Sequence, residues 1–281
     1  MINAPQGRGG IAEAGWREFA GRRRPEAESP YLQKKVIKKG LSSNAIKTIA
    51  IIAMTIDHIA WVFFPHYSLD APVISMKIIG RLTAPIMMFF IAEGYHYTRN
   101  VTKYIFRLFV FAVISHFAYA IAFDKSFIPF KDSVFDQTSV IWALMLGLVA
   151  LAIRNYESAK IKNWQKHLLV FIVVWLAFPA DWSAPAALAV LYMGIHHGNF
   201  KKQMLSLVIC IALYSVIYAV FLDLVYGLLQ MCIVLAIPVL YQYNGERGKW
   251  KGMKWFFYVY YPLHMLLFGL IRIFVLKISI P

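Results

Sequence analysis

Apolar residues run in long blocks along this chain, and the polar residues between them gather in short loops. Nine blocks follow one another, at 44–64, 73–96, 104–123, 138–153, 167–178, 184–196, 204–222, 224–241 and 255–276. About 20 apolar residues in a helix cross the hydrocarbon core of a bilayer, and a helix satisfies its own backbone polar groups there. The pattern predicts an all-α fold: a polytopic integral membrane helical bundle of about nine transmembrane helices, roughly eight to ten. The fifth and sixth blocks hold only 12 and 13 residues, so they extend into polar flanks or form half-helices buried in protein. Between them FPADWSAP, at 178–185, reads as a tight hairpin turn. No internal repeat is visible, which weakens the case for an inverted-repeat transporter.

The loops orient the bundle. With the N-terminus inside, the cytoplasmic loops carry Arg99 and Lys103, then Arg154, Lys160, Lys162 and Lys166, then Lys201 and Lys202, then Arg247, Lys249, Lys251 and Lys254. The loops around Asp70, Lys125 to Asp136, Asp181 and Asp223 are nearly neutral or acidic. Positive-inside bias then predicts a multi-pass plasma membrane protein with its N-terminus cytoplasmic and its C-terminus outside. Residues 1–33 mix Gly, Pro, Arg and Glu with no apolar core, so they do not read as a cleavable secretory signal. They are expected to be a disordered tail or a leftover of expression or of a misplaced start codon. The membrane domain is expected over 34–281, opening on a collar of Lys34, Lys35, Lys38 and Lys39.

Composition agrees with this class and narrows the partners. The 281 residues are 60% hydrophobic and 15% charged, with a mean hydropathy of +0.58; a soluble domain carries charge on about a quarter of its residues. The net charge of +15 follows from basic inner loops, so the expected partners include membrane lipids and no nucleic acid. Cys210 and Cys232 lie in apolar blocks without metal-ligand or CxxC spacing, and no metal site is expected.

Charged residues inside spans are costly against lipid and mark sites facing protein or a water-filled cavity. The orientation places Asp57 and His58 in the outer half of the first span, Arg81 in the outer half of the second and His116 high in the third. These four are expected to meet in one outer cavity, capped by Asp136, Asp181 and Asp223. Glu93, His96, Arg99, Arg107 and His197 are expected to form a second, basic-leaning group on the inner side. A histidine can take a proton from an attacking amine or hydroxyl, and an arginine can hold an oxyanion or a phosphate. Consecutive residues on a helix point about 100° apart, so the group orienting His58 is free to come from another helix than its neighbour Asp57. A structural reading stands beside the chemical one: such residues also lock helix interfaces or snorkel, and His58, His116 and His264 beside Pro262 each admit it.

Four stretches then carry a resemblance: IDHI at 56–59, GRLTAPIMMFFIAEGYHYTRN at 80–100, YIFRLFVFAVISHFAY at 104–119 and FYVYYPLHMLLF at 257–268. In this order they resemble the TraX family of membrane proteins, over roughly 41–278. That resemblance implies acetyl transfer, since family members are known or suspected acetyltransferases and the name-giving one is linked to acetylation of a pilin N-terminus. A wider similarity runs to integral-membrane acyltransferases, whose first helix bears an arginine eleven residues before an essential histidine. Lys47 and His58 have that separation, with lysine in place of arginine. Their FFxxSGF-like motif is similar to 89–95, where Glu93 stands for serine.

The resemblance implies that 34–281 is a transmembrane acyltransferase-like domain using acetyl-coenzyme A as acyl donor from the cytoplasmic side. His58, Asp57, Arg81 and His116 are its candidate catalytic residues, and Glu93, Arg99 and Arg107 its candidate donor-binding residues. The acceptor is open among a pilin N-terminus, a glycan and a lipid-linked molecule. A transporter or exporter, or a structural subunit of a secretion or conjugation assembly, remains the alternative, and donor binding separates the enzyme from both.

Overall fold

The computed structural model of the protein describes residues 39–64, 67–128, 131, 137–157 and 161–277. Lys34, Lys35, Lys38, Asp136, Lys160 and the expected tail over 1–33 lie outside these residues.

Each of the nine apolar blocks is helical. Helix α1 spans Ser43–Phe63, α2 Ala71–Gly80, α3 Thr83–Tyr97, α4 Val101–Phe123, α5 Val140–Arg154 and α6 Asn163–Trp175. Helix α7 spans Ser183–Ile195, α8 Phe200–Phe221, α9 Leu224–Gln230, α10 Ala236–Tyr241 and α11 Met253–Leu270. A 3-10 turn, Met231–Leu235, joins α9 to α10, and a π-helical turn, Ile271–Leu276, extends α11. Among the described residues there is no strand, only two isolated bridges. Six helical runs are long and apolar enough to cross a membrane: Ser43–Phe63, Ala71–Tyr97, Val101–Phe123, Phe200–Phe221, Leu224–Tyr241 and Met253–Leu276. The nine expected blocks are all helical, but six of them reach spanning length and α5, α6 and α7 fall short of it.

Local chemistry sets the ends. The Ser42 hydroxyl accepts from the Ala45 N–H at the start of α1, and Asn100, Asn199 and Asp223 cap α4, α8 and α9 in the same way. The second block breaks at Arg81 and Leu82, where Pro85 in the first turn of α3 offers no N–H to the Arg81 carbonyl. Gly80 closes α2 where any Cβ would overlap the Asp57 carboxylate, so glycine is what lets α1 and α2 meet at that depth.

The two short blocks flanking the 178–185 turn have opposite fates. In α7 nine residues are buried, including Pro185, Ala187 and Val190, and Gly147 of α5 admits the Ala187 backbone. Helix α6 buries only Val174 and exposes Trp164, Phe171 and Trp175. Thus α7 is a half-helix buried in protein, and α6 a peripheral one.

Two clasps hold the ends of the bundle. At the basic end the N–H groups of Leu41, Ser43 and Asn44 donate to the carbonyls of Gln242, Glu246 and Arg247. At the opposite end the Gln137 N–H donates to the Pro179 carbonyl and the Asp181 N–H to that of Thr138, both at 2.8 Å. The second clasp sets Asp181 and Trp182 against the candidate site.

Candidate functional site

A cavity of about 190 Å³ opens among α1, α4, α8, α9, the end of α2 and the 178–185 turn, with Asp57, His58, Arg81, Asp181, Trp182 and Gln230 in its wall. Tyr67, Tyr119, Tyr214 and Tyr218 make much of the remaining wall aromatic.

Arg81 is held from several directions. Its Nη2 donates to Asp57 Oδ1 at 2.9 Å, its Nη1 to Gln230 Oε1 at 2.6 Å and its Nε to the Lys77 carbonyl at 3.2 Å. Its guanidinium carbon lies 5.2 Å from the Trp182 ring. An arginine buried to this degree inside a membrane bundle survives only when its charge is matched and most of its donors are engaged; Asp57 matches the charge, and three of the five N–H donors are engaged, leaving two. Trp182 adopts φ 61 and Ser183 φ 48, a left-handed conformation costly for side chains of this kind. The hydrogen bonds of the clasp and the stacking of Trp182 on Tyr214 at 5.2 Å keep the turn in that form.

His58 is held by a different chain. Its Nδ1 lies 2.6 Å from His264 Nε2, and His264 Nδ1 lies 2.7 Å from the Tyr260 carbonyl oxygen. A carbonyl only accepts, so His264 Nδ1 carries a proton, and in the neutral ring His264 Nε2 is then the acceptor. The proton between the rings belongs to His58 Nδ1, which leaves the lone pair of His58 on Nε2. Among the described residues nothing else bonds to His58, so Nε2 is its remaining polar atom, and His58 lines the cavity. Asp57 points to Arg81 and not to the imidazole, as the helix geometry requires.

A narrow seam of about 30 Å³ lies deeper, between Met54, Met87 and Tyr261, and shares Asp57 and His58 with the large cavity. Beyond it a cavity of about 60 Å³ is lined by Lys47, Met87, Phe90, Tyr104, Lys254 and Tyr258, among others.

The structure brings Asp57, His58, Arg81 and Asp181 together as expected. It does not bring His116, whose Nε2 lies 3.0 Å from the Phe127 carbonyl outside the cavity wall; His116 sits on the face of α4 turned toward that loop. Asp223 caps α9 instead of the cavity. The expected inner group divides. Glu93 Oε1 meets His197 Nε2 at 3.3 Å and accepts from Gln203 at 3.4 Å, and His96 stacks on His197 with ring centroids 4.0 Å apart. Arg99 is exposed, and Arg107 lies over the rings of Tyr104 and Tyr258, at 5.2 and 5.4 Å. Two further residues of the site stand outside the expected catalytic set. His264 was legible as a lone histidine in an apolar stretch, equally open to a structural role; Gln230, uncharged inside α9, carried no signal.

A helical bundle of this length, apolar outside and built around buried charges beside a cavity, is a multi-pass membrane protein with an internal polar site. The TraX protein family matches residues 42–272, and the chain belongs to that family. It is 33% identical to the probable fimbrial assembly protein FimC, serogroup H1, of Dichelobacter nodosus over 80% of this chain and 93% of that protein. It is 28% identical to the uncharacterized protein RP591 of Rickettsia prowazekii (strain Madrid E) over 64% of this chain and 65% of that protein. No solved structure matches it.

Proposed function

We propose that this protein is a membrane-embedded acyltransferase that moves an acetyl group from acetyl-coenzyme A to an amine or hydroxyl in the large cavity. The observation that carries the reading is the His58–His264–Tyr260 chain, which leaves the lone pair of His58 on Nε2 in a residue lining the cavity that also holds the Arg81 guanidinium. In the step, the acceptor nitrogen or oxygen attacks the thioester carbonyl carbon and its proton passes to His58 Nε2. Arg81 stabilises the oxyanion that forms; the C–S bond then breaks and the thiolate leaves, taking up the proton held by His58. Asp57 and Gln230 aim the Arg81 fork, and His264 holds the imidazole in its tautomer.

Under positive-inside bias the basic end faces the cytoplasm of a bacterium, where acetyl-coenzyme A is found, and the large cavity lies toward the outer side. Similarity to a probable fimbrial assembly protein is the reason to seek the acceptor among pilus components, a pilin N-terminus first, then glycan and lipid-linked molecules.

The test is acetyl transfer in nanodiscs from labelled acetyl-coenzyme A to each acceptor class. Label on one acceptor, lost with His58→Ala, is the expected result. A protein that binds no acetyl-coenzyme A and labels none of them overturns the enzyme and leaves a transporter or an assembly subunit. Cysteines placed in the 246–254 loop settle the orientation: labelling of that loop by an impermeant reagent from outside cells reverses it.

A further inference from the structure

Lys47 stands in α1 with its Nζ 5.0 Å from the Phe90 ring and 6.0 Å from that of Phe257, and with no carboxylate beside it among the described residues. Lys254 stands across the 60 Å³ cavity over Trp255, also without an acid. Arg107 lies over Tyr104 and Tyr258, two walls of that cavity, and its Nε is buried without a partner. Three cations thus gather around an aromatic, half-buried space where their desolvation has no anion to offset it. Arg81, by contrast, is matched by the Asp57 carboxylate, and buried Lys77 donates to the Tyr226 hydroxyl at 3.0 Å. Such a site is complementary to phosphate.

The size of the space narrows the ligand further. About 60 Å³ cannot hold a nucleotide, so a phosphate-bearing head rests at the mouth and only a thin chain enters. Met87 lines both this cavity and the seam, and the seam is lined by His58. Lys47 and His58 lie eleven residues apart on one helix, about 16 Å along its axis. That matches a phosphopantetheine arm stretched from its phosphate to its thioester. Methionine is unbranched and turns aside at little cost, which suits a constriction that opens for a chain.

We infer that the cavity lined by Lys47 and Lys254, with Arg107 behind its tyrosine wall, is the mouth for a phosphopantetheine thioester, whose arm passes Met87 and the seam to bring its acyl carbon to His58. The inference rests on acyl transfer at His58 and adds the donor's route and its phosphate contacts.

The test reads the route without any acceptor. In a Cys210→Ala, Cys232→Ala background, Met87→Cys is labelled with a small methanethiosulfonate in the presence of S-methyl coenzyme A. Labelling is expected to slow at least tenfold, S-methyl pantetheine at the same concentration to give no protection, and Lys47→Ala with Lys254→Ala to remove the protection. Ile91→Cys, in the same cavity wall, carries the same readout where Met87→Cys is not monodisperse. S-methyl 4′-phosphopantetheine protecting as well as the full coenzyme points to an acyl carrier protein, and weaker protection to free coenzyme A; both support the route. Calorimetric binding of S-methyl coenzyme A with unchanged labelling at both positions overturns the route and leaves acyl transfer standing. No binding at all overturns both.

Discussion

At the large cavity His58 lies 2.6 Å from His264, and Arg81 lies 2.9 Å from Asp57. Toward the basic end His197 lies 3.3 Å from Glu93, with His96 stacked on its ring. Both groups bring two histidines and a carboxylate together within the bundle, and by composition they are alike. They differ in what their partners leave over. Glu93 on α3, His197 after α7 and Gln203 on α8 face one another, so the group ties three helices together. None of the three lines the large cavity, the seam or the basic-end cavity. Around His58 the contacts come from behind, through His264, and one ring nitrogen is left over beside a space that admits a ligand. A buried polar cluster becomes a candidate for chemistry when its supports leave one reactive atom unspent.

The contrast breaks most visibly at His58. His58→Ala is expected to slow single-turnover acetyl transfer by about 100-fold or more, the scale of a positioned base, with donor binding and monodispersity retained. Transfer near the wild-type rate removes His58 from the mechanism. Arg81→Ala strands the Asp57 carboxylate in the bundle and is expected to cost about 3–5 kcal/mol of stability, read as thermal unfolding in detergent. An unchanged midpoint would show that water reaches Asp57 freely.

His264→Asn removes the ring that holds His58 Nδ1. A charged hydrogen bond of about 1.5–3 kcal/mol corresponds to a loss of about 10- to 100-fold in transfer with donor affinity unchanged, and His264→Gln, which reaches further, is expected to recover part of it. A fall in donor affinity instead would recast His264 as packing. At the other group, His197→Gln keeps a donor for Glu93 and is expected to leave transfer within about a factor of two, the effect of a change under roughly 0.5 kcal/mol. The same small effect is expected of His116→Ala, since that side chain bonds to a loop carbonyl outside the cavity. A large loss from either would mean that the site extends beyond its present walls.

Spans were the most legible part of this chain, because apolar length is a local property and lipid leaves the backbone no alternative to helix. Helix ends at Ser42, Asn100, Asn199 and Asp223 fall where capping residues meet apolar blocks. The different fates of α6 and α7 were not legible. Both are short and apolar, and close approaches such as Gly147 to Ala187 and Gly194 to Leu151 seat one of them in the core. Asp57, His58 and Arg81 stood out because a charge inside a span is costly wherever it points. His116 stood out for the same reason and proved to lie elsewhere, since depth along a helix says nothing about which way a side chain faces.

The sequence by itself determined the all-helical membrane class, the nine helical blocks, the family and the position of each charge along its block, all of which follow from residue type and spacing. Only the tertiary structure decided which charges meet. Asp57 and Arg81 are 24 residues apart and His58 and His264 are 206 apart, and pairs so distant are joined by helix packing. Gly80 sets one such approach by having no Cβ, and the Tyr260 carbonyl sets the other by leaving His264 a single way to face His58. Direction around a helix axis is fixed by neighbours from other parts of the chain, which no local pattern contains.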